Sequence, residues 1–168
     1  MSRLDSAIRR LEAQRACLDH GVELISGVPG PVLELGLGNG RTYDHLRSRL
    51  PEREIFVFDR QVAAHPDCIP SADRLLLGDL RQTLPAARQR FAGRAALVHA
   101  DIGSGDREAS EELARQLAPT VAELLAPGGV LVADQPFSAS GLKPLPLPAT
   151  VEQGRYFLYR AERLRHPV

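Results

Sequence analysis

The stretch Val32-Leu33-Glu34-Leu35-Gly36-Leu37-Gly38-Asn39-Gly40-Arg41 decides the fold. Four strand-like residues run into three alternating glycines, and a segment with helical spacing begins at Arg41. Glycine lets a ligand approach the backbone closely, and the amino end of a helix offers unpaired N–H groups. A tight strand-to-helix turn would use the same residues, so the loop alone leaves a purely structural reading open.

Outward from the loop, strands and helices alternate. Residues 55–58, 75–77, 96–99 and 130–133 form further short aliphatic runs. Such uninterrupted runs suit a parallel sheet covered on both faces by helices. Helices are expected over 41–50, ended by Pro51; from a Thr83 cap to Phe91; and over about 106–125, kinked or restarted at Pro119. Pro127-Gly128-Gly129 is expected to end the last of these. An amphipathic helix over residues 3–20 carries Leu4, Ile8, Leu11 and Leu18, with a stop at His20-Gly21. Ser138–Pro148 reads as an irregular loop, and Tyr156–Tyr159 as an antiparallel strand at the sheet edge. The fold class is α/β: a doubly wound, mostly parallel sheet in a three-layer α/β/α sandwich.

The 168 residues suit one domain over 1–168, with 1–28 as a helical lid or packing segment. Twenty-one basic and 21 acidic side chains cancel, which gives no general attraction to nucleic acid or anionic lipid. No apolar run approaches the roughly 20 residues of a membrane span, and the amino terminus lacks a signal-like apolar core. Cys17 and Cys68 match no metal spacing, so a cytoplasmic setting is expected. A homo-oligomer stays open.

Two details sharpen the loop. Position 41 is arginine, where a dinucleotide site wants glycine or alanine. Glu34 precedes the first glycine by two; its carboxylate would repel a pyrophosphate but suit a cationic ligand group. The pattern Glu34-x-Gly36-x-Gly38-x-Gly40 resembles the first signature of the class I S-adenosylmethionine-dependent methyltransferases. Asp59, with Arg60 beside it, ends the second strand, where an acid can accept ribose hydroxyl bonds. Gly78-Asp79-Leu80 follows the third strand; the resemblance implies that an acid there takes the adenine amino group. Leu124–Val132 looks like the family's turn into its fifth strand. The likeness covers roughly residues 30–135 and implies S-adenosylmethionine as cofactor and a sheet of seven strands, of which six are readable.

Substrate in such a fold meets the methyl group beyond strands four and five. His99, Asp101 and Asp134 stand there and are the candidate catalytic residues, with His99 also beside the cofactor. For His99 and Asp101 the alternative is structural: a half-buried strand-end histidine, and an aspartate capping the next loop through Gly103. Cation-dependent catechol-type O-methyltransferases carry acids at similar places, which raises a divalent metal at Asp101 and Asp134-Gln135. Gln135 stands where that group has asparagine, and Lys143 is the only lysine. Segments resembling Asn-Pro-Pro-Tyr or Pro-Cys are missing, which favours a small-molecule or protein acceptor over nucleic acid. A non-catalytic cofactor-binding partner is the alternative. A nicotinamide enzyme is disfavoured by Glu34 with Arg41.

Overall fold

The computed structural model describes residues 1–162. Four helices and seven strands alternate: α1 (Arg3–Leu24), β1 (Val32–Leu35), α2 (Arg41–Arg49), β2 (Ile55–Asp59), β3 (Leu75–Leu77), α3 (Leu80–Phe91), β4 (Ala95–Ala100), α4 (Arg107–Leu124), β5 (Leu125–Ala133), β6 (Leu142–Pro144) and β7 (Phe157–Ala161). Two short 3-10 turns precede β3. The sheet order is β3-β2-β1-β4-β5-β7-β6, parallel from β3 to β5 and antiparallel at β7 and β6. The doubly wound sheet expected from the aliphatic runs is present.

Strand alternation sends Leu33, Leu35, Phe56, Phe58 and Val98 into a core under α3 and α4. Val32, Val57, Leu97, Val130 and Val132 face a second core under α1 and α2. Glu34 and His99 share that second face, in register on neighbouring parallel strands.

Several boundaries differ from expectation for identifiable reasons. Helix α1 passes through Gly21 to Leu24. A Cβ at Gly21 would lie 2.8 Å from Val132 Cγ2 and 3.3 Å from Leu97, so the glycine lets the helix sit close to the sheet. Its start is secured by a capping box, with Ser2 Oγ accepting from Asp5 N at 3.0 Å and Asp5 Oδ2 accepting from Ser2 N at 3.0 Å. Its buried face is Ala13, Gln14, Cys17, Leu18 and Gly21. Leu4 and Ile8, expected to point inward, are 68% and 45% exposed. Helix α3 starts at Leu80, capped by Asp79, not by Thr83. Pro119 lies inside α4, which runs unbroken; it and Arg115, whose carbonyl it deprives of a helical donor, are on the exposed side. Pro127-Gly128-Gly129 lies within β5, at the register irregularity between Ala95 and Leu97, and α4 ends before it.

The antiparallel carboxyl-terminal strand is present, but it is not the sheet edge. β6, inside the stretch read as loop, pairs outside β7, with Pro144 opposite Tyr159. An edge strand tolerates proline because its outward N–H has no partner to lose. No helix among the described residues is long and apolar enough to cross a membrane. Both cysteines are free, and burial pushes the Cys17 thiol up to about 11.

Candidate active site

The three glycines of the loop share left-handed backbone, with φ of +95° at Gly36, +51° at Gly38 and +85° at Gly40. Their surroundings differ. A Cβ on Gly36 would stand 2.3 Å from the Asp101 carbonyl oxygen, and one on Gly40 would stand 2.5 Å from Cys68 Cβ. A Cβ on Gly38 would meet nothing within 4 Å beyond its chain neighbours. Gly36 and Gly40 therefore bring the loop close to the chain around it, while Gly38 faces open space where a ligand can reach the backbone.

That space belongs to a cleft of about 420 Å³ at the carboxyl ends of the strands, bordered by Gly36, Gly38, Asp59, Arg60, Asp79, Leu80 and Asp101. Ile102, Ser110 and Leu113 close it on the α4 side. Asp59 ties the loop to β2: its Oδ2 accepts from Leu37 N at 2.8 Å and Gly38 N at 3.2 Å, and Oδ1 accepts from Arg60 N at 2.6 Å. Asp79 caps α3, accepting from Arg81 N at 2.9 Å and from Arg60 Nη2 at 2.9 Å. The Arg81 N–H holds its carboxyl below the usual range; burial pushes the other way, and the Arg60 and Arg81 charges add to the lowering. Gly78, at φ +147°, donates to the Asp59 carbonyl at 2.9 Å and so fixes where Asp79 begins.

Glu34 and His99 are fully buried and do not line this cleft. Glu34 Oε1 accepts from Thr42 Oγ1 at 3.0 Å and meets His99 Nδ1 at 2.6 Å; His99 Nε2 lies 2.6 Å from the Tyr156 hydroxyl. Gln14 Nε2 donates to Tyr156 Oη at 3.1 Å and to Asp101 Oδ2 at 3.2 Å. Gln14 supplies only hydrogens there. A neutral His99 with Nδ1–H on Glu34 takes the Tyr156 hydrogen at Nε2, whereas a protonated ring donates from both nitrogens, to Glu34 and to the Tyr156 oxygen. A chain of polar groups thus runs from Thr42 through Glu34, His99, Tyr156 and Gln14 to Asp101. Glu34 Oε2 is buried without a partner.

Burial drives Glu34 above the usual carboxylate range, with His99 and Thr42 pulling back. Burial also presses the His99 imidazole down, but Glu34, helped by Asp101 and Asp134, outweighs it and raises the ring above its ordinary value. The Tyr156 phenol is pushed far up, by burial first and by the Asp101 charge second, and stays neutral.

Asp101 lines the cleft but does not cap the loop that follows it. Asp134 does so, its Oδ1 accepting from Ile102 N at 3.1 Å and its Oδ2 from Gly103 N at 2.8 Å. Burial and the Asp101 charge raise the Asp134 carboxyl, against those two N–H bonds. Both Asp134 oxygens are thus occupied by backbone. Among the described residues no group of three or more His, Cys, Asp and Glu side chains is disposed to hold a metal ion.

Gln14, Thr42 and Tyr156 were not singled out from the sequence. Tyr156 lay in a recognised aromatic run without a distinct signal. Gln14 did carry one: it is an uncharged polar residue three places after Leu11 and four before Leu18, within the helix's inward side.

Comparison with known proteins now assigns the family. Residues 1–161 match the profile of a family described as S-adenosyl-L-methionine methyltransferase. An S-adenosyl-L-methionine methyl transferase from Silicibacter pomeroyi DSS-3 has 50% identity, with 96% of this chain and 99% of that one covered at a TM-score of 0.91. Human methyltransferase-like protein 13, solved with S-adenosylhomocysteine, shares the fold at 16% identity and TM-score 0.58, over 94% of this chain and 82% of that one. DesVI from Streptomyces venezuelae does so at 17% identity and TM-score 0.53, over 91% and 65%. No curated protein matches the sequence. The chain belongs to the S-adenosyl-L-methionine methyltransferase family.

Proposed function

We propose that this methyltransferase acts on a small-molecule acceptor, at an oxygen, with Asp101 receiving the acceptor's proton. The observation that carries the reading is the position of Asp101. Asp101 borders the cleft just past the end of β4, its backbone carbonyl packed against Gly36, and one carboxylate oxygen is held by Gln14. When bound, S-adenosylmethionine supplies an electrophilic methyl group on a sulfonium. An acceptor hydroxyl must lose a proton as its lone pair takes that methyl, and a fixed carboxylate is a suitable base.

The cleft fits the cofactor in kind. Gly38 leaves the backbone open, Asp59 Oδ1 has only the Arg60 N–H to satisfy, and Asp79 with Leu80 borders the far end. In this reading Asp59 holds the ribose, Asp79 and Leu80 hold the adenine, and Gly36–Gly40 line the methionyl part. Glu34 and His99 act beneath the loop as positioning residues, and Asp134 fixes the β4–α4 loop. Residues 1–168 work as one domain, with residues 1–28 as its packing segment, α1 lying on the sheet face that holds Val32, Leu97 and Val132.

Calorimetry with S-adenosylhomocysteine and NAD, followed by turnover of a panel of phenols, amines and carboxylic acids with labelled methyl donor, tests the reading. Binding of S-adenosylhomocysteine with methylation of hydroxyl compounds is expected. Tight NAD binding without a response to S-adenosylhomocysteine, or methylation of protein or RNA alone, overturns it. Cofactor binding without turnover of any acceptor selects the non-catalytic alternative.

A further inference from the structure

A second cavity, of about 370 Å³, lies between α1 and α2 and is separate from the cofactor cleft. One wall is apolar, built from Ile8, Leu11 and Leu18 of α1; Arg15 and Arg41 stand at its rim, and Gln14 and Thr42 form its floor. Its size is that of a small-molecule site.

The charges are unequal. Glu12 and His45 also line the cavity, but His45 is held by Asp19 at 2.8 Å, leaving two guanidinium groups against one carboxylate. Arg15 and Arg41 pair with no acid among the described residues, although His45 of the same lining and the nearby Arg49 both meet Asp19. Helix α2 begins at Arg41, whose N–H donates to Asn39 Oδ1 at 3.3 Å, and its amino end adds a partial positive charge. An apolar wall opposite unpaired guanidinium groups is complementary to a molecule with an apolar body and an anionic end.

The floor ties this cavity to the cleft. Gln14 donates to Asp101, which lines the cleft, and Thr42 donates to Glu34. Gln14 thus reaches from the lining of this cavity to a carboxylate oxygen of Asp101. We infer that the α1–α2 cavity is the acceptor site, and that the acceptor is a small organic anion whose apolar body rests on Ile8, Leu11 and Leu18. The acid group lies against Arg15 and Arg41, and the other end points past Gln14 toward Asp101. This inference rests on the small-molecule reading above and specifies its substrate class.

The test uses the full-length protein saturated with S-adenosylhomocysteine, titrated with benzoate, phenyl phosphate, benzyl alcohol and benzylamine. Benzoate or phenyl phosphate should bind, and the stronger of the two tells carboxylate from phosphate. Arg15→Leu should weaken that anion by about tenfold and leave S-adenosylhomocysteine affinity unchanged. Ile8→Ser, at a half-exposed position whose loss leaves the fold intact, should weaken it as well. Binding of no anion, equal binding of benzylamine, or anion affinity unchanged in Arg15→Leu overturns the inference. Loss of S-adenosylhomocysteine affinity in Arg15→Leu also overturns it, by assigning the cavity to the donor. Failure of S-adenosylhomocysteine to bind the unaltered protein would instead overturn the methyl-transfer assignment of the cleft, whatever the anions do.

Discussion

Glu34 on β1 and His99 on β4 stand opposite each other in register, joined at 2.6 Å and wholly removed from solvent. The pair lies under the glycine loop, at the centre of the polar chain from Thr42 to Asp101. Its importance is first structural. His99→Leu leaves the Glu34 carboxylate with Thr42 as its one donor and removes the ring nitrogen that meets the Tyr156 hydroxyl. Breaking a buried pair from one side costs about 3–5 kcal/mol, and denaturant unfolding should show a loss of that size. Glu34→Leu with His99→Leu should recover part of it, because both charges then leave together. Unchanged stability in the single variant would show that the pair carries no net load.

The same groups set a pH dependence. Glu34, Asp134 and His99 all hold their protons more tightly in the folded protein than at their ordinary values of 4.5, 3.8 and 6.5. Their contributions to stability are therefore fully present below those values and fade as pH rises through the raised folded ones. For His99 the loss falls above pH 6.5. Thermal unfolding across neutral pH should show stability declining with rising pH, and His99→Gln should decline less over the same interval. A slope of equal size in that variant would place the titration elsewhere.

The sheet was legible because short aliphatic runs between helical stretches admit few other arrangements. The glycine loop, Asp59 and Asp79 were legible by position, each standing at a strand's carboxyl end. β6 was not, since Leu142-Lys143-Pro144 acquires strand character only by lying against β7. Nor was the link from Gln14 to Tyr156, residues 142 apart that meet because α1 crosses the sheet near β7. His99 carried a readable position but an unreadable environment: at a strand end it could have been a free base, and only the register with Glu34 and the approach of Tyr156 occupy both its nitrogens.

On the proposed placement of the cofactor, the glycines separate loop architecture from ligand contact. Gly36→Ala places a methyl group 2.3 Å from the Asp101 carbonyl at φ +95°, so the loop must shift and both stability and cofactor affinity should fall. Gly38→Ala meets no protein atom within 4 Å, and its left-handed backbone should cost only about 1–2 kcal/mol. Its methyl group enters the cleft. Gly38→Ala should therefore lose S-adenosylhomocysteine affinity by more than its drop in stability accounts for. Calorimetry and denaturation on both variants check this, and equal affinity for wild type and Gly38→Ala would move the cofactor away from this part of the loop.

On the proposed placement of the cofactor, Asp59 combines loop bracing and ribose binding in one carboxylate. Oδ2 gathers the Leu37 and Gly38 N–H groups, and Oδ1, bonded to the Arg60 N–H, keeps a lone pair for a ribose hydroxyl. Asp59→Ala removes all of these acceptors, and charge-assisted bonds to a ligand contribute about 1.5–3 kcal/mol. S-adenosylhomocysteine affinity should fall by roughly ten- to a hundredfold, measured by calorimetry. Asp59→Asn separates the two functions. Its amide oxygen can still receive one loop N–H, so the loop should loosen less than in the alanine variant. If ribose binding depends on the charge, the asparagine variant should still lose most of the affinity while recovering stability. Affinity that tracks stability through both variants would instead make Asp59 a brace for the loop and leave the ribose to other groups in the cleft.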